Sequence, residues 1–139
     1  MSSPYTAYLT AAVQAARLAG AFLREHFYSI KLVDEALAHD IKLRLDKETQ
    51  EMISQRLLAA FPQSAILGEE GDAGDSAAAC QWVVDPIDGT VNYFYGIPIF
   101  CVSIALRHHG EFVLGCVYDP MQQECSGLSG GLLCNLEIF

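Results

Sequence analysis

The hydrophobic period of this chain changes at Pro62, and that change restricts the fold more than any other feature of the sequence. Before Pro62, apolar residues recur at the spacing of α-helices in two segments. We predict a first helix over residues 4–27, with Ser3 as its N-cap. A second helix is predicted to start at Asp46, with Thr49 as a weak capping partner, and to stop at Pro62.

After Pro62 the chain consists mainly of short runs with the composition of β-strands, separated by turn residues. The predicted strands cover residues 65–67, 82–84, 100–107 and 112–118, with a hairpin between the last two. Residues 71–79 are predicted to form an acidic loop and residues 91–98 a short helix, and beyond residue 120 the pattern is too weak to predict an element. Two helices followed by strands favour an α+β fold, with layered helices packed on a mostly antiparallel sheet in one domain over residues 1–139.

Composition argues against several classes of partner. The chain has 139 residues, a formal net charge of −9 and a pI near 4.6, which disfavours binding to nucleic acid and to anionic membranes. No apolar stretch approaches the ~18 residues of a membrane span. Five cysteines without a Cys-x-x-Cys pair argue against a disulfide framework and favour a cytoplasmic location. Of these, Cys101 and Cys116 lie in apolar runs and are expected to be small buried hydrophobes.

The strand at Trp82 leads directly into Asp85-Pro86-Ile87-Asp88-Gly89-Thr90, a tight turn that carries two carboxylates and a hydroxyl. Mg²⁺ prefers oxygen ligands and is commonly held by carboxylates together with phosphate oxygens and water. Pro86 stiffens the turn, Gly89 permits a left-handed backbone, and Thr90 offers a hydroxyl and an amide at a predicted helix start. The turn is therefore a candidate Mg²⁺ and phosphate site. Asp-Pro and Asp-Gly are also common in ordinary turns, so a purely structural turn is the alternative.

A second acidic pair, Glu69 and Glu70, directly follows another predicted strand. If that strand ends beside the strand that precedes Asp85, Glu69 lies near Asp85 and Asp88. Three carboxylates in one place repel one another and need a cation to coexist. The alternative for the two glutamates is a solvated acidic loop.

In their order along the chain, these motifs resemble the inositol monophosphatase family, which belongs to the lithium-sensitive, Mg²⁺-dependent phosphatase superfamily. The matching segments are residues 68–70, 82–93, 97–98, 102–104 and 115–120. They cover nearly the whole chain to about Asp119. The fold that the resemblance implies is the N-terminal half of the αβαβα sugar-phosphatase fold.

The resemblance also implies a set of metal ligands. Glu69 and Asp85 would bind a first Mg²⁺ together with the backbone carbonyl of Ile87. Asp85 and Asp88 would bind a second, and Glu69 could reach a third through water.

The same resemblance assigns the phosphate and the attacking water. Asp88, Gly89 and Thr90 would form the phosphate site, with the amides of Gly89 and Thr90 on phosphate oxygens. The catalytic set would be Glu69, Thr90 and Asp46, in which the Thr90 hydroxyl orients the water and Asp46 supports it from outside.

The assignment of Asp46 has an alternative, because an aspartate at this position could be a plain N-cap. Asp40 lies six residues before it, as the family pattern expects, but Leu43 replaces the threonine that is usual between them.

Family members are longer, and their second half supplies a further aspartate in a Trp-Asp-x-Ala-type motif. No such motif follows Thr90 here. We therefore expect the chain to be an N-terminal metal-binding half-domain whose C-terminal half is absent. The full-length family is expected to form homodimers, and the half-domain could self-associate through its uncovered apolar surface.

Two functions follow from these observations. The first is Mg²⁺-dependent hydrolysis of a small phosphate monoester, such as inositol-1-phosphate or a related polyol or sugar phosphate, by metal-activated water. A bisphosphate nucleotide, histidinol phosphate and fructose 1,6-bisphosphate are alternative substrates. The second function is that of a truncated, inactive fragment or a binding module. We expect little or no turnover from the isolated chain, because the second metal lacks a ligand.

Overall fold

A computed structural model describes residues 4–37, 40–129 and 132–136 of the chain. The elements, in chain order, are α1 (Thr6–Glu25), β1 (Val33–Leu37), β2 (Asp40–Leu43), α2 (Arg44–Ala60), β3 (Ala65–Gly68), β4 (Gly71–Gly74), β5 (Cys80–Asp88), α3 (Thr90–Phe94), β6 (Cys101–His108), β7 (Glu111–Asp119), β8 (Glu124–Ser129) and β9 (Leu132–Leu136).

The described strands form one large sheet and one hairpin. Seven strands lie in the order β4-β3-β5-β6-β7-β8-β9, and β1 pairs separately with β2. Neighbours in the large sheet are antiparallel except β3 and β5, which run parallel. The prediction of helices on a mostly antiparallel sheet is confirmed.

The hydrophobic core lies between the two long helices and one face of the sheet. Alternate residues of a strand point to opposite faces, and the set that faces α1 and α2 is buried. In β5 and β6 this set is Trp82, Val84, Val102, Ile104 and Leu106. At Gly20 of α1 a Cβ atom would lie 2.2 Å from the Tyr118 ring, so helix and sheet approach closely there. The other face of the sheet exposes apolar side chains such as Val117 and Leu128.

Both long helices differ from the prediction at their ends. The first is two residues shorter at each end, because Pro4 lies in a turn; Ser3 is outside the described residues. The second begins at Arg44, since Leu43 is the extended residue before it, with φ −99° and ψ 152°. Asp46 therefore lies inside the first turn of α2, and its prediction as an N-cap is wrong. Thr49 is fully buried and does not cap the helix.

Several strands were missed by the sequence pattern. The predicted acidic loop contains β4, whose four residues are all exposed and pair with β3. Beyond Pro120, β8 alternates exposed residues with the buried Cys125, Gly127 and Ser129. Small and polar residues give these strands no apolar alternation, so main-chain pairing with a neighbouring strand decides their conformation. Among the described residues, no helix is both long and apolar enough to cross a membrane.

Candidate active site

The parallel pairing of β3 and β5 brings the predicted carboxylates together. In this ladder Gly68 pairs with Val84, and Glu69 donates its backbone N–H to the Val84 carbonyl at 3.3 Å. Because the two strands run in the same direction and are in register here, the next residues, Glu69 and Asp85, lie side by side. The ladder ends at Gly68 and Val84, but β5 itself continues to Asp88; the prediction that both strands stop here is wrong, and residues 85–88 form the end of β5 and not a turn after it.

A β-bulge turns Asp85 and Asp88 toward the same region. The pairing of β5 with β6 shifts between Asp85, opposite Ser103, and Asp88, opposite Cys101. Two residues three apart in a regular strand would point to opposite faces, but one extra residue in β5 cancels that alternation. Pro86, which has no N–H to donate, lies in this bulge. Asp88 is exposed and accepts a hydrogen bond from the Cys101 thiol at 3.8 Å.

The carboxylate of Asp85 has an unsatisfied oxygen. Its Oδ1 atom is buried and has no hydrogen-bond partner in the described part of the chain. The pKa of Asp85 is raised to about 7. Burial contributes most to this rise, followed by a hydrogen bond with Glu69 and the negative charges of Glu69 and Asp88. A backbone hydrogen bond from Ile87 lowers the pKa and opposes the rise. A buried carboxylate oxygen without a donor is costly unless it meets a cation or a proton.

The donor set around Asp85 fits a hard divalent cation. The three carboxylates and the Ile87 carbonyl offer only oxygen, which is what Mg²⁺ prefers. Within residues 4–37, 40–129 and 132–136, no group of three or more His, Cys, Asp or Glu side chains is placed to hold a metal ion by itself. Such an open arrangement suits Mg²⁺, because this ion usually keeps water and substrate phosphate oxygens among its ligands.

Thr90 and Asp46 connect the start of α3 to the start of α2. The Thr90 hydroxyl lies 3.2 Å from Asp46 Oδ1 and 3.0 Å from the Ile87 carbonyl oxygen, so its single proton has two acceptors. The other oxygen of Asp46 accepts the Leu43 N–H at 2.7 Å. Asp46 is only 3% exposed. Burial raises its pKa to about 6, although the hydrogen bonds from Leu43 and Thr90 oppose this rise. Asp46 is therefore a buried carboxylate aimed at the site. Asp40, the other aspartate of the predicted family pattern, is the first residue of β2.

Gly89 allows the chain to turn from β5 into α3. It has φ +96°, a conformation that favours glycine. A Cβ atom at this position would lie 3.1 Å from the Ile99 carbonyl oxygen and 3.3 Å from Phe100 Cβ. The backbone at Ile99 is held by Asn92, whose side-chain amide donates to the Ile99 carbonyl at 2.9 Å. Both the φ angle and the close contact favour glycine at this corner.

The sequence reasoning missed Gln50, which positions the turn that carries the glutamates. Gln50 Oε1 accepts the backbone N–H of Glu70 at 2.8 Å, and its Nε2 atom donates to the Gly71 carbonyl at 2.8 Å. The side chain is 7% exposed. A signal was available, because Asp46, Gln50, Ile53 and Leu57 share one helical face, and polar residues on a buried face commonly have a specific partner.

Comparison with known proteins agrees with this geometry. A model of the inositol monophosphatase family matches residues 5–136. Inositol monophosphatase 3 of Solanum lycopersicum is 36% identical over 133 residues, which is 88% of this chain and 48% of that protein. Fructose-1,6-bisphosphatase/inositol-1-monophosphatase of Aquifex aeolicus is 38% identical over 115 residues, 81% of this chain and 44% of that protein.

A solved structure shows the same fold. Extragenic suppressor protein suhB from Bartonella henselae superposes with a TM-score of 0.88 at 30% identity, over 94% of this chain and 52% of that one. The chain thus spans about half the length of the relatives that it matches. Since the family match covers nearly all of the chain and includes both the strand ends and the Asp85–Thr90 turn, the chain belongs to the inositol monophosphatase family.

Proposed function

We propose that this chain provides the metal and phosphate half of a Mg²⁺-dependent phosphate monoester hydrolase. The observation that carries the proposal is Asp85 Oδ1, which is buried and has no hydrogen-bond partner among the described residues. The Asp85 side chain interacts with the carboxylates of Glu69 and Asp88. Glu69, Asp85 and the Ile87 carbonyl would hold a first Mg²⁺, and Asp85 and Asp88 a second. When bound, the metal would lower the pKa of water and neutralise the phosphoryl group.

The side chains of Thr90 and Asp46 would orient the attacking water and accept its proton. With its proton donated to Asp46 Oδ1, the Thr90 oxygen presents its lone pairs to a water molecule. A carboxylate whose pKa is raised to about 6 can accept a proton near neutral pH more readily than an ordinary aspartate. Glu69, which is exposed as Asp88 is, would complete the catalytic set.

Gly89 and Thr90 would bind the phosphate through their backbone amides, with Asp88 nearby. The left-handed conformation of Gly89 turns the chain at this point, and the absence of a side chain leaves the backbone open to a ligand.

The substrate class is a small phosphorylated polyol or sugar. Histidinol phosphate and a bisphosphate nucleotide belong in the same test panel, and so does fructose 1,6-bisphosphate, because the Aquifex relative is named a fructose-1,6-bisphosphatase.

The test separates metal binding from turnover. Mg²⁺ binding is measured by calorimetry, and phosphate release is measured with inositol-1-phosphate and the rest of the panel. We expect Mg²⁺ binding that is lost in Asp85→Asn and Asp88→Asn. It should be retained in Glu111→Gln, an exposed carboxylate at the distant β6–β7 hairpin. Equal binding by Asp85→Asn and the unsubstituted chain would refute the metal site.

A second candidate function is that of an inactive fragment or binding module, favoured by the coverage of only about half of each relative. It predicts Mg²⁺ binding with little phosphate release. Turnover on the order of 1 per second or more would exclude it. We also propose that the full-length protein forms a homodimer, as expected for the family. Light scattering measures this oligomeric state.

A further inference from the structure

Two cysteines outside the candidate active site lie in contact inside the core. The Sγ atoms of Cys116 on β7 and Cys125 on β8 are 3.5 Å apart. The two residues are diagonal neighbours, since Cys116 pairs with Gly127 and Cys125 with Tyr118. A disulfide bond requires an S–S distance of about 2.05 Å, so the sulfurs must approach by about 1.5 Å.

The surroundings of the pair distinguish the two thiols. The hydrogen bond from Cys116 lowers the pKa of Cys125, as does the positive charge of Arg17 on α1, whereas burial opposes them. The same hydrogen bond raises the pKa of Cys116, and burial adds to that rise. The thiolate is the nucleophilic form of cysteine, and the positive charge of Arg17 favours that form at Cys125.

Access to the pair restricts the oxidant. Cys116 is 1% exposed and Cys125 is 4% exposed, so a bulky or charged reagent cannot reach either sulfur in the folded chain. A small, uncharged hydroperoxide is suited to such a position. Of the two strands, β8 lies nearer the edge of the sheet, because only β9 lies beyond it in the described sheet, and a short turn over residues 120–123 joins it to β7.

We propose that Cys116 and Cys125 form an oxidisable dithiol, which hydrogen peroxide converts into a disulfide that links β7 to β8. The Cys125 thiolate attacks one peroxide oxygen, the O–O bond breaks, and a sulfenic acid and one water form once a proton is taken up. The Cys116 sulfur then attacks the sulfenic sulfur, and the hydroxyl leaves as a second water with the Cys116 proton. In total, two thiols and one peroxide give one disulfide and two waters, with sulfur oxidised and oxygen reduced.

The experiment treats the folded chain with hydrogen peroxide, then unfolds it and counts its free thiols by alkylation. We expect the count to fall from five to three and to recover after dithiothreitol. The position is assigned in a Cys134→Ser background, where cleavage after Glu111 and Glu124 puts the two cysteines on separate peptides. A disulfide between residues 112–124 and residues 125–137 of the same polypeptide is the expected product.

Matched variants complete the test. Cys116→Ser should abolish the linked peptide pair, whereas Cys80→Ser and Cys101→Ser should retain it. If Cys116→Ser does not fold, the peptide map of the Cys134→Ser chain still decides the question. The proposal is overturned if that map shows no link between the two peptides, or if thiol loss is confined to Cys80 and Cys101.

Discussion

Replacing Asp46 by asparagine should remove a pH dependence from the stability of the fold. The folded-state pKa of Asp46 is raised to about 6, against 3.8 for the ordinary carboxyl. A carboxyl with a raised folded pKa stabilises the folded state fully below pH 3.8, and this contribution is lost as the pH rises through 6. For these two pKa values the loss between pH 5 and pH 8 is about 1.4 kcal/mol, out of about 3 kcal/mol in total.

The asparagine side chain can keep both contacts of Asp46. Its Oδ1 can accept the Leu43 N–H, and its amide can donate to the Thr90 oxygen, whose proton then goes to the Ile87 carbonyl. The substitution therefore removes the charge and keeps both contacts, but it adds a second amide N–H that none of these contacts pairs. At pH 8, where the charge of the unsubstituted chain is present and buried, Asp46→Asn should be the more stable form.

The assay is urea unfolding at pH 5 and pH 8 without divalent cations, for the unsubstituted chain, Asp46→Asn and the control Glu51→Gln. Glu51 is exposed on the same helix. The stability change between the two pH values should be about 1.4 kcal/mol smaller in Asp46→Asn than in the other two proteins. If all three proteins show the same change, Asp46 is ionised at pH 5 and the burial argument is wrong.

Three further predictions concern the surroundings of the site and the free face of the sheet. Gln50→Leu removes both hydrogen bonds to the turn at Glu70 and should lower the free energy of unfolding by roughly 1–3 kcal/mol and weaken Mg²⁺ binding. Gln55→Leu, an exposed position on the same helix, should change neither by a comparable amount, and equal effects would contradict the assignment. Gly89→Ala should lower the melting temperature more than Gly110→Ala, because both glycines have positive φ but only Gly89 has atoms within contact distance of an added Cβ. Equal shifts would mean that the contact at Gly89 has no cost. The isolated chain should self-associate in light scattering, because apolar side chains are exposed on the sheet face opposite the helices, and a monodisperse monomer would count against this expectation.

Local patterns in the sequence were sufficient for the elements that bury apolar residues. The apolar run at residues 82–84 predicts the middle of β5, the apolar runs after it predict β6 and β7, and the helical spacing predicts α1 and α2. Exposed strands such as β4 carry no such alternation, so the sequence pattern could not reveal them. The start of α2 was misplaced because Asp46, predicted to start the helix, lies in its first turn and accepts the backbone N–H of Leu43.

In the candidate site, too, the residue types were predictable from the sequence, whereas their arrangement was not. The residue types of Asp85, Asp88, Gly89 and Thr90 and their order are properties of the sequence, and they were enough to indicate oxygen ligands for a cation beside a backbone corner. The position of Glu69 beside Asp85 depends on the parallel pairing of β3 with β5, and the shared direction of Asp85 and Asp88 depends on a bulge against β6. Gln50 acquires a role only when α2 packs against the turn at Glu70.

The sequence by itself therefore determined which chemical groups are present and which segments bury their apolar faces, since both follow from residue type and period. Only the tertiary structure decided which of those groups meet. Contacts between residues far apart in the chain depend on strand pairing and helix packing, and no local pattern records them. The burial that raises the pKa values of Asp46 and Asp85, and the contact between Cys116 and Cys125, belong to this second class.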